Sequence, residues 1–249
     1  MTLARPALLL ALLLLLVGCV GSPPPAGPPG AHPIGPVFLC HGSWPDGPAL
    51  WADDLRERLH ERGIEGLVVP SLMIAGFGTG APAERIADFQ AALRARHAAT
   101  SCRSPLRMMG VGYSSGTQVL AEAAAGGARF ERCWFAGSPI TMWNAVLGDA
   151  LRQERIESLV NYFSPLDGIV WVKLGAGIFG YHGGDYARVY NRVHLWPHVT
   201  PRWRREYAVE QLLDELCERA GDAAPHTCFG DPDYLAWYEG ARERLRVDW

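Results

Sequence analysis

From residue 36 onward, short apolar runs alternate with amphipathic helical patterns, and few folds accept that order. The runs are "PVFLC" (36–40), "EGLVVPSL" (65–72), "PLRMMGVGY" (105–113), "RCWFAGS" (132–138), "SLVNYFS" (158–164) and "ARVYNRVHLW" (187–196). Between them, 48–63 places Leu50, Trp51, Leu55 and Leu59 on one face, with Arg and Glu opposite. The segment 81–99 does the same with Ile86, Phe89 and Leu93. An alanine-rich helix follows the third run, and 201–221 reads as a last long helix. Apolar runs without polar alternation suit strands covered on both faces, and helices spaced between them supply the cover. The expected architecture is α/β: a mostly parallel central sheet of about six strands with helices on both faces. The segment 141–155 reads as a small helical insert and 175–186 as a glycine-rich loop. With 249 residues, 49% of them hydrophobic, the chain supplies one sizeable core rather than two large domains. A net charge of −3 without basic blocks speaks against a nucleic-acid partner.

The first 35 residues stand apart. Arg5 precedes an apolar stretch, 6–17, that is too short to span a bilayer comfortably and reads as the core of an export leader. It ends in Leu16-Val17-Gly18-Cys19, which resembles the lipobox of bacterial lipoproteins. That resemblance implies cleavage before Cys19, lipidation of its thiol and a membrane-anchored place in the bacterial cell envelope. An ordinary secretory leader is the alternative, and it too exports the protein. "VGSPPPAGPPGAHPIGP" (20–36) then reads as a tether, able to span roughly 50 Å when extended. The expected division is a leader over 1–18, a tether over 19–35 and a folded domain over 36–249. Export permits disulfides, and the pairing among Cys40, Cys102, Cys133, Cys217 and Cys228 stays open, with Cys40 expected to be buried.

The chemical signal is "MMGVGYSSGTQVLAEAAAGG" (108–127). Ser114 lies between Gly112 and Gly116, directly after a strand pattern and directly before a helix pattern. A Gly-x-Ser-x-Gly match alone is weak in a glycine-rich chain, and a serine there can be a plain helix cap. Its position between strand and helix is that of a nucleophile elbow. There, glycines let strand and helix pack around a serine lifted above the sheet. A nucleophilic serine needs an oxyanion hole, a base and a carboxylate that orients the base. The loop "HGSW" after the first run offers the Ser43 N–H beside that of Ser115. Asp167 stands in a turn just past the fifth strand, ahead of the weaker acids Asp149 and Asp185. His198, after Trp196-Pro197, is favoured as base over His194, which falls within the strand-like run. His41 reads as structural. The i, i+4 spacing of His194 and His198 suits a metal only on a helix, which Pro197 disfavours, so no metal or cofactor is expected. Trp44, Trp143, Trp171 and Trp196 are candidates for an acyl pocket, with core packing the default.

"FLCHG", "GYSSG", "AGSP", "SPLDGIV" and "WPHVT" together resemble the α/β-hydrolases, nearest to their lipase and esterase members, over about residues 36–220. The resemblance implies that fold, a Ser-Asp-His triad in that chain order and carboxylic ester hydrolysis through an acyl-enzyme, on a small-molecule or lipid ester. The family's first two strands have no counterpart, which implies a minimal version of the sheet. The alternatives are acyl transfer or thioester hydrolysis by the same residues, or a catalytically inert surface lipoprotein that acts as a binding module.

Overall fold

The computed structural model describes residues 34–42, 48–62, 64–69, 80–99, 106–171, 180–193, 214–215 and 232–245. Six strands form one sheet: β1 (Ile34–Cys40), β2 (Gly66–Val69), β3 (Arg107–Tyr113), β4 (Phe130–Ala136), β5 (Ile156–Phe163) and β6 (Val189–Val193). Their order is β2-β1-β3-β4-β5-β6, and each pairing is parallel. The helices between them are α1 (Pro48–Glu61), α2 (Gly80–Ala98), α3 (Gly116–Ala125), α4 (Ala145–Arg152) and the single turn α5 (Gly168–Trp171). A helix α6 (Pro232–Leu245) follows near the C-terminus. The expected sheet is therefore present, with β1, β4 and β5 each starting two residues earlier than their apolar runs suggest, so that Ile34 and Gly35 of the expected tether belong to β1.

Both faces of the central strands are largely buried, which is why they read as continuous apolar runs. Side chains alternate between two cores. Phe38, Cys40, Cys133 and Phe135 join one core with residues of α2, α3, α4 and α6. Val37, Leu39, Val111, Trp134 and Tyr162 join the other with Trp51, Leu55 and Leu59 of α1. On this second face Glu215 accepts hydrogen bonds from Trp134 Nε1 (2.8 Å) and the Tyr162 hydroxyl (3.0 Å), and it pairs with Arg192. One carboxylate thus ties β4, β5 and β6 together. Of the helix expected over 201–221 only Asp214 and Glu215 are described, and both are helical.

The alanines of α3 have a packing reason. β3 presents Gly110 and Gly112 to that helix, and a Cβ on Gly110 would stand 2.9 Å from Leu120 Cδ2. With no side chain on the strand and small ones on the helix, the two backbones approach closely. α6 was not legible as an element, although Tyr234, Tyr238, Ala241 and Leu245 recur at helical spacing and are buried. It closes the α2 flank, where Tyr238 meets Phe89 edge to face at 5.8 Å and Arg242 pairs with Glu65 at 3.3 Å.

Cys40 and Cys133 are both free thiols, and burial pushes both well above the ordinary thiol range. That removes Cys133 from any disulfide. Cys102, Cys217 and Cys228 lie outside the described residues, as does Cys19.

Candidate active site

In this strand order the chain leaves β1 toward β2 on one side and later returns to β3 on the other. α1 covers one face and α2 the opposite one, so the direction of winding reverses between β1 and β3. In open parallel sheets such a reversal opens a crevice beyond the carboxyl ends of the two strands. His41 and Gly42 follow β1 there, and Ser114 and Ser115 follow β3.

Ser114 has φ of 52°, a left-handed conformation it shares only with Glu154 among the described non-glycine residues. An L-residue held there carries roughly 1–2 kcal/mol of strain. The surroundings enforce it. The Ser114 N–H donates to Ala136 O of β4 (2.9 Å), while its carbonyl accepts from Thr117 N (3.1 Å) and Thr117 Oγ1 (2.7 Å). A Cβ on Gly112 would stand 2.8 Å from Thr117 Cα, and one on Gly116 would overlap the Cys40 carbonyl. The two flanking glycines are therefore required by neighbouring backbone, as the motif implied. Ser114 itself is half-buried between the buried Tyr113 and Ser115.

The loop after β1 comes up against this serine. A Cβ on Gly42 would be 2.8 Å from Ser114 Cβ and 3.4 Å from its hydroxyl oxygen. Only bare backbone fits beside the hydroxyl, as a donor to a substrate oxygen would require. Ser43, the next residue and the expected donor, lies outside the described residues. The other expected donor, Ser115, is buried at the start of α3 with φ of −59°. There the amides of the first helical turn favour negative charge. His41 is half-buried, and its Nδ1 lies 2.9 Å from Gly42 O, in keeping with a structural role.

Asp167 is buried at the carboxyl edge, two strands from Ser114, just past the end of β5. Its N–H donates to Ser164 O (3.1 Å), and its Oδ1 accepts from Val170 N (3.2 Å), capping α5. β6 ends at Val193, opposite Phe163, so the chain leaves the sheet beside the Ser164–Asp167 turn. His194 is the next residue and His198 the fifth after Val193; both lie outside the described residues, as do Trp44 and Trp196. Of the weaker acids, Asp149 and Asp185 both pair with Arg152, away from the crevice. Trp143 is 74% exposed and buries little in any pocket. Among the described residues no group of His, Cys, Asp and Glu is placed to hold a metal ion, and no helix is long and apolar enough to cross a membrane.

Sequence reading missed the polar residues beneath the elbow. Thr117, Ser138, Tyr181 and Asn191 are buried and mutually hydrogen-bonded. Their positions carry no local signal, since they lie far apart in the chain.

No protein-family model matches the chain, and no curated protein matches it. Solved structures share its outline loosely. A cold-adapted esterase from an Arctic intertidal metagenomic library is 18% identical, over 76% of this chain and 84% of its own, with a TM-score of 0.45. The esterase domain of a Rhodothermus marinus protein is 15% identical, over 76% and 88%, with a TM-score of 0.41. A lipase/esterase from Lactobacillus plantarum is 13% identical, over 74% and 83%, with a TM-score of 0.43. Likenesses this loose decide nothing about the chemistry, which has to come from the site.

Proposed function

We propose that the protein is a serine hydrolase that cleaves carboxylic esters, with Ser114 as nucleophile. The observation that carries this is the left-handed Ser114 at the switch point of a parallel sheet, with the backbone of Gly42 against its hydroxyl. Strain of this kind persists only where the surroundings over-determine it, and it clusters at reactive positions.

In this reading His198 takes the Ser114 proton as the hydroxyl oxygen bonds to the ester carbonyl carbon. The oxyanion is held by the N–H groups of Ser43 and Ser115. Its collapse expels the alcohol, which receives the proton from His198 and leaves an acyl-Ser114. Water, deprotonated by the same histidine, then releases the acid. Asp167 fixes the imidazole tautomer and stabilises its cation. Reach favours His198 over His194 as base. Strands lie about 4.8 Å apart, so β6 ends about 14 Å from the end of β3. Five residues beyond Val193 span up to about 17 Å, whereas His194 is bound to the strand end itself. Anchoring through Cys19 in the cell envelope belongs to the same reading.

Labelling of the full-length chain with a fluorophosphonate, beside its Ser114→Ala variant, tests the proposal. Labelling of the first and not the second is expected. A folded chain that stays unlabelled with and without detergent would sink the nucleophile in favour of a binding module. Ester turnover should fall as pH drops through the ordinary histidine range, because the base must be neutral.

A further inference from the structure

The buried polar residues beneath Ser114 form a chain whose protons can be ordered. The Thr117 hydroxyl donates to the Ser114 carbonyl at 2.7 Å, which uses its single proton. Its 2.9 Å contact with Ser138 Oγ must then be donated by Ser138. Ser138 Oγ in turn accepts from the Tyr181 hydroxyl (2.9 Å) and from Ile140 N (3.3 Å). A hydroxyl has one proton to give and two lone pairs to fill. Ser138 therefore uses its full capacity, and the chain runs from Tyr181, whose one proton is shared between Ser138 Oγ and Ile140 O (3.0 Å), through Ser138 and Thr117 to the carbonyl of the strained serine. All three side chains are essentially excluded from solvent.

Tyr181 is itself fixed by the edge strand β6. Its N–H donates to Asn191 Oδ1 (2.9 Å), and its carbonyl accepts from Asn191 Nδ2 (2.8 Å). Asn161, the register partner of Asn191 on β5, donates to the same Oδ1 at 3.2 Å. Gly180 precedes Tyr181 with φ of +77°, and a Cβ there would fall 2.6 Å from Asn191 Oδ1, so the segment is seated hard against β6. The Tyr181 ring stacks on Tyr186 at 5.4 Å, which leaves it no freedom to swing.

We propose that Tyr181 is a positioning residue for Ser114. Acting through Ser138 and Thr117, it holds the serine's carbonyl, and with it the left-handed turn, in register with β5 and β6. The consequence rests on the hydrolase reading above. Asp167 follows β5 and His198 follows β6, so the ladder ties the nucleophile to the two strands that deliver its partners. Tyr181 touches neither substrate nor the reacting hydroxyl.

The test compares the rate of fluorophosphonate labelling, kcat, KM and thermal unfolding in the full-length chain and in Tyr181→Phe, Thr117→Val, Thr117→Ser and the Tyr181→Phe/Thr117→Val double variant. Folded Tyr181→Phe and Thr117→Val should each label about ten- to a hundredfold more slowly, since a small misplacement of the reacting group has that cost. KM should move little, because ester binding is not touched. Thr117→Ser, which keeps the hydroxyl, should label at close to the unsubstituted rate. The double variant should be no slower than the slower single one, because both break the same chain. Wild-type labelling rates in folded Tyr181→Phe and Thr117→Val would overturn the proposal, as would a fully multiplicative double variant. Should Tyr181→Phe fail to fold, folded Ser138→Ala, which cuts Tyr181 off from Thr117, decides in its place: labelling about tenfold or more slower is expected, and an unchanged rate would overturn the proposal. An unlabelled unsubstituted chain would overturn both the hydrolase reading and this one; labelling of it with equal labelling of the variants overturns this one only.

Discussion

Two turns at the same edge of the sheet carry the two described members of the proposed triad, and they differ in how far neighbouring backbone confines them. The turn at Ser114 adds steric exclusion to its hydrogen bonds. Its glycines are in contact with neighbouring backbone, and its serine sits between them at φ 52°. The turn at Asp167 is held by hydrogen bonds. Ser164 O and Oγ accept from Asp167 N and Leu166 N, and Asp167 Oδ1 caps α5, while a Cβ on Gly168 would meet nothing within 4 Å. A nucleophile must be placed to a fraction of an ångström relative to its oxyanion donors, which steric enforcement achieves. An orienting carboxylate needs burial and a fixed direction, which two or three hydrogen bonds supply.

The comparison breaks most visibly in activity. Ser114→Ala should lower ester turnover by about 10⁴–10⁶-fold while the chain stays folded; retained turnover would remove the serine from the chemistry. Asp167→Asn keeps an oxygen for the α5 cap and loses the charge, so turnover should fall about 10³–10⁴-fold with little change in melting temperature. An equally active variant would assign the carboxylate to capping alone. In stability the sharpest contrast is between two glycines. Gly116→Ala should cost more than about 3 kcal/mol in denaturant unfolding, because Cys40 backbone has to move. Gly168→Ala should stay within about 0.5 kcal/mol. Similar losses at both would mean the two turns are equally crowded. Ser114→Gly should be inactive yet more stable by about 0.5–1 kcal/mol, as relief of left-handed strain outweighs the added unfolded-chain entropy. A destabilised Ser114→Gly would show that the strain is not stored at that residue.

The order of strands and helices was readable because both depend on local pattern. β3 and α3 are adjacent in the chain, so Gly-Tyr-Ser-Ser-Gly could be placed at their junction before any tertiary contact was known. The same holds for Asp167, whose turn follows an apolar run directly. Helix α6 escaped because its tyrosines are spread over a stretch rich in Arg and Glu, and only packing on α2 makes them core. The ladder through Tyr181 escaped for a different reason. Thr117, Ser138, Tyr181 and Asn191 come from four separate segments, and none stands in a motif of its own.

What the sequence by itself determined is the class of sheet, the place of Ser114 between strand and helix, and the need for glycine around it. These follow from periodicity and from the volume of a side chain, which act over a few residues. What only the tertiary structure decided is the strand order that puts the reversal between β1 and β3, the approach of Gly42 to the Ser114 hydroxyl and the burial of Cys133 as a free thiol. It also decided the proton-ordered chain beneath the nucleophile. Each of these depends on which distant segments become neighbours. Hydrogen-bond partners and close backbone contacts are properties of that neighbourhood, not of the residues that enter it.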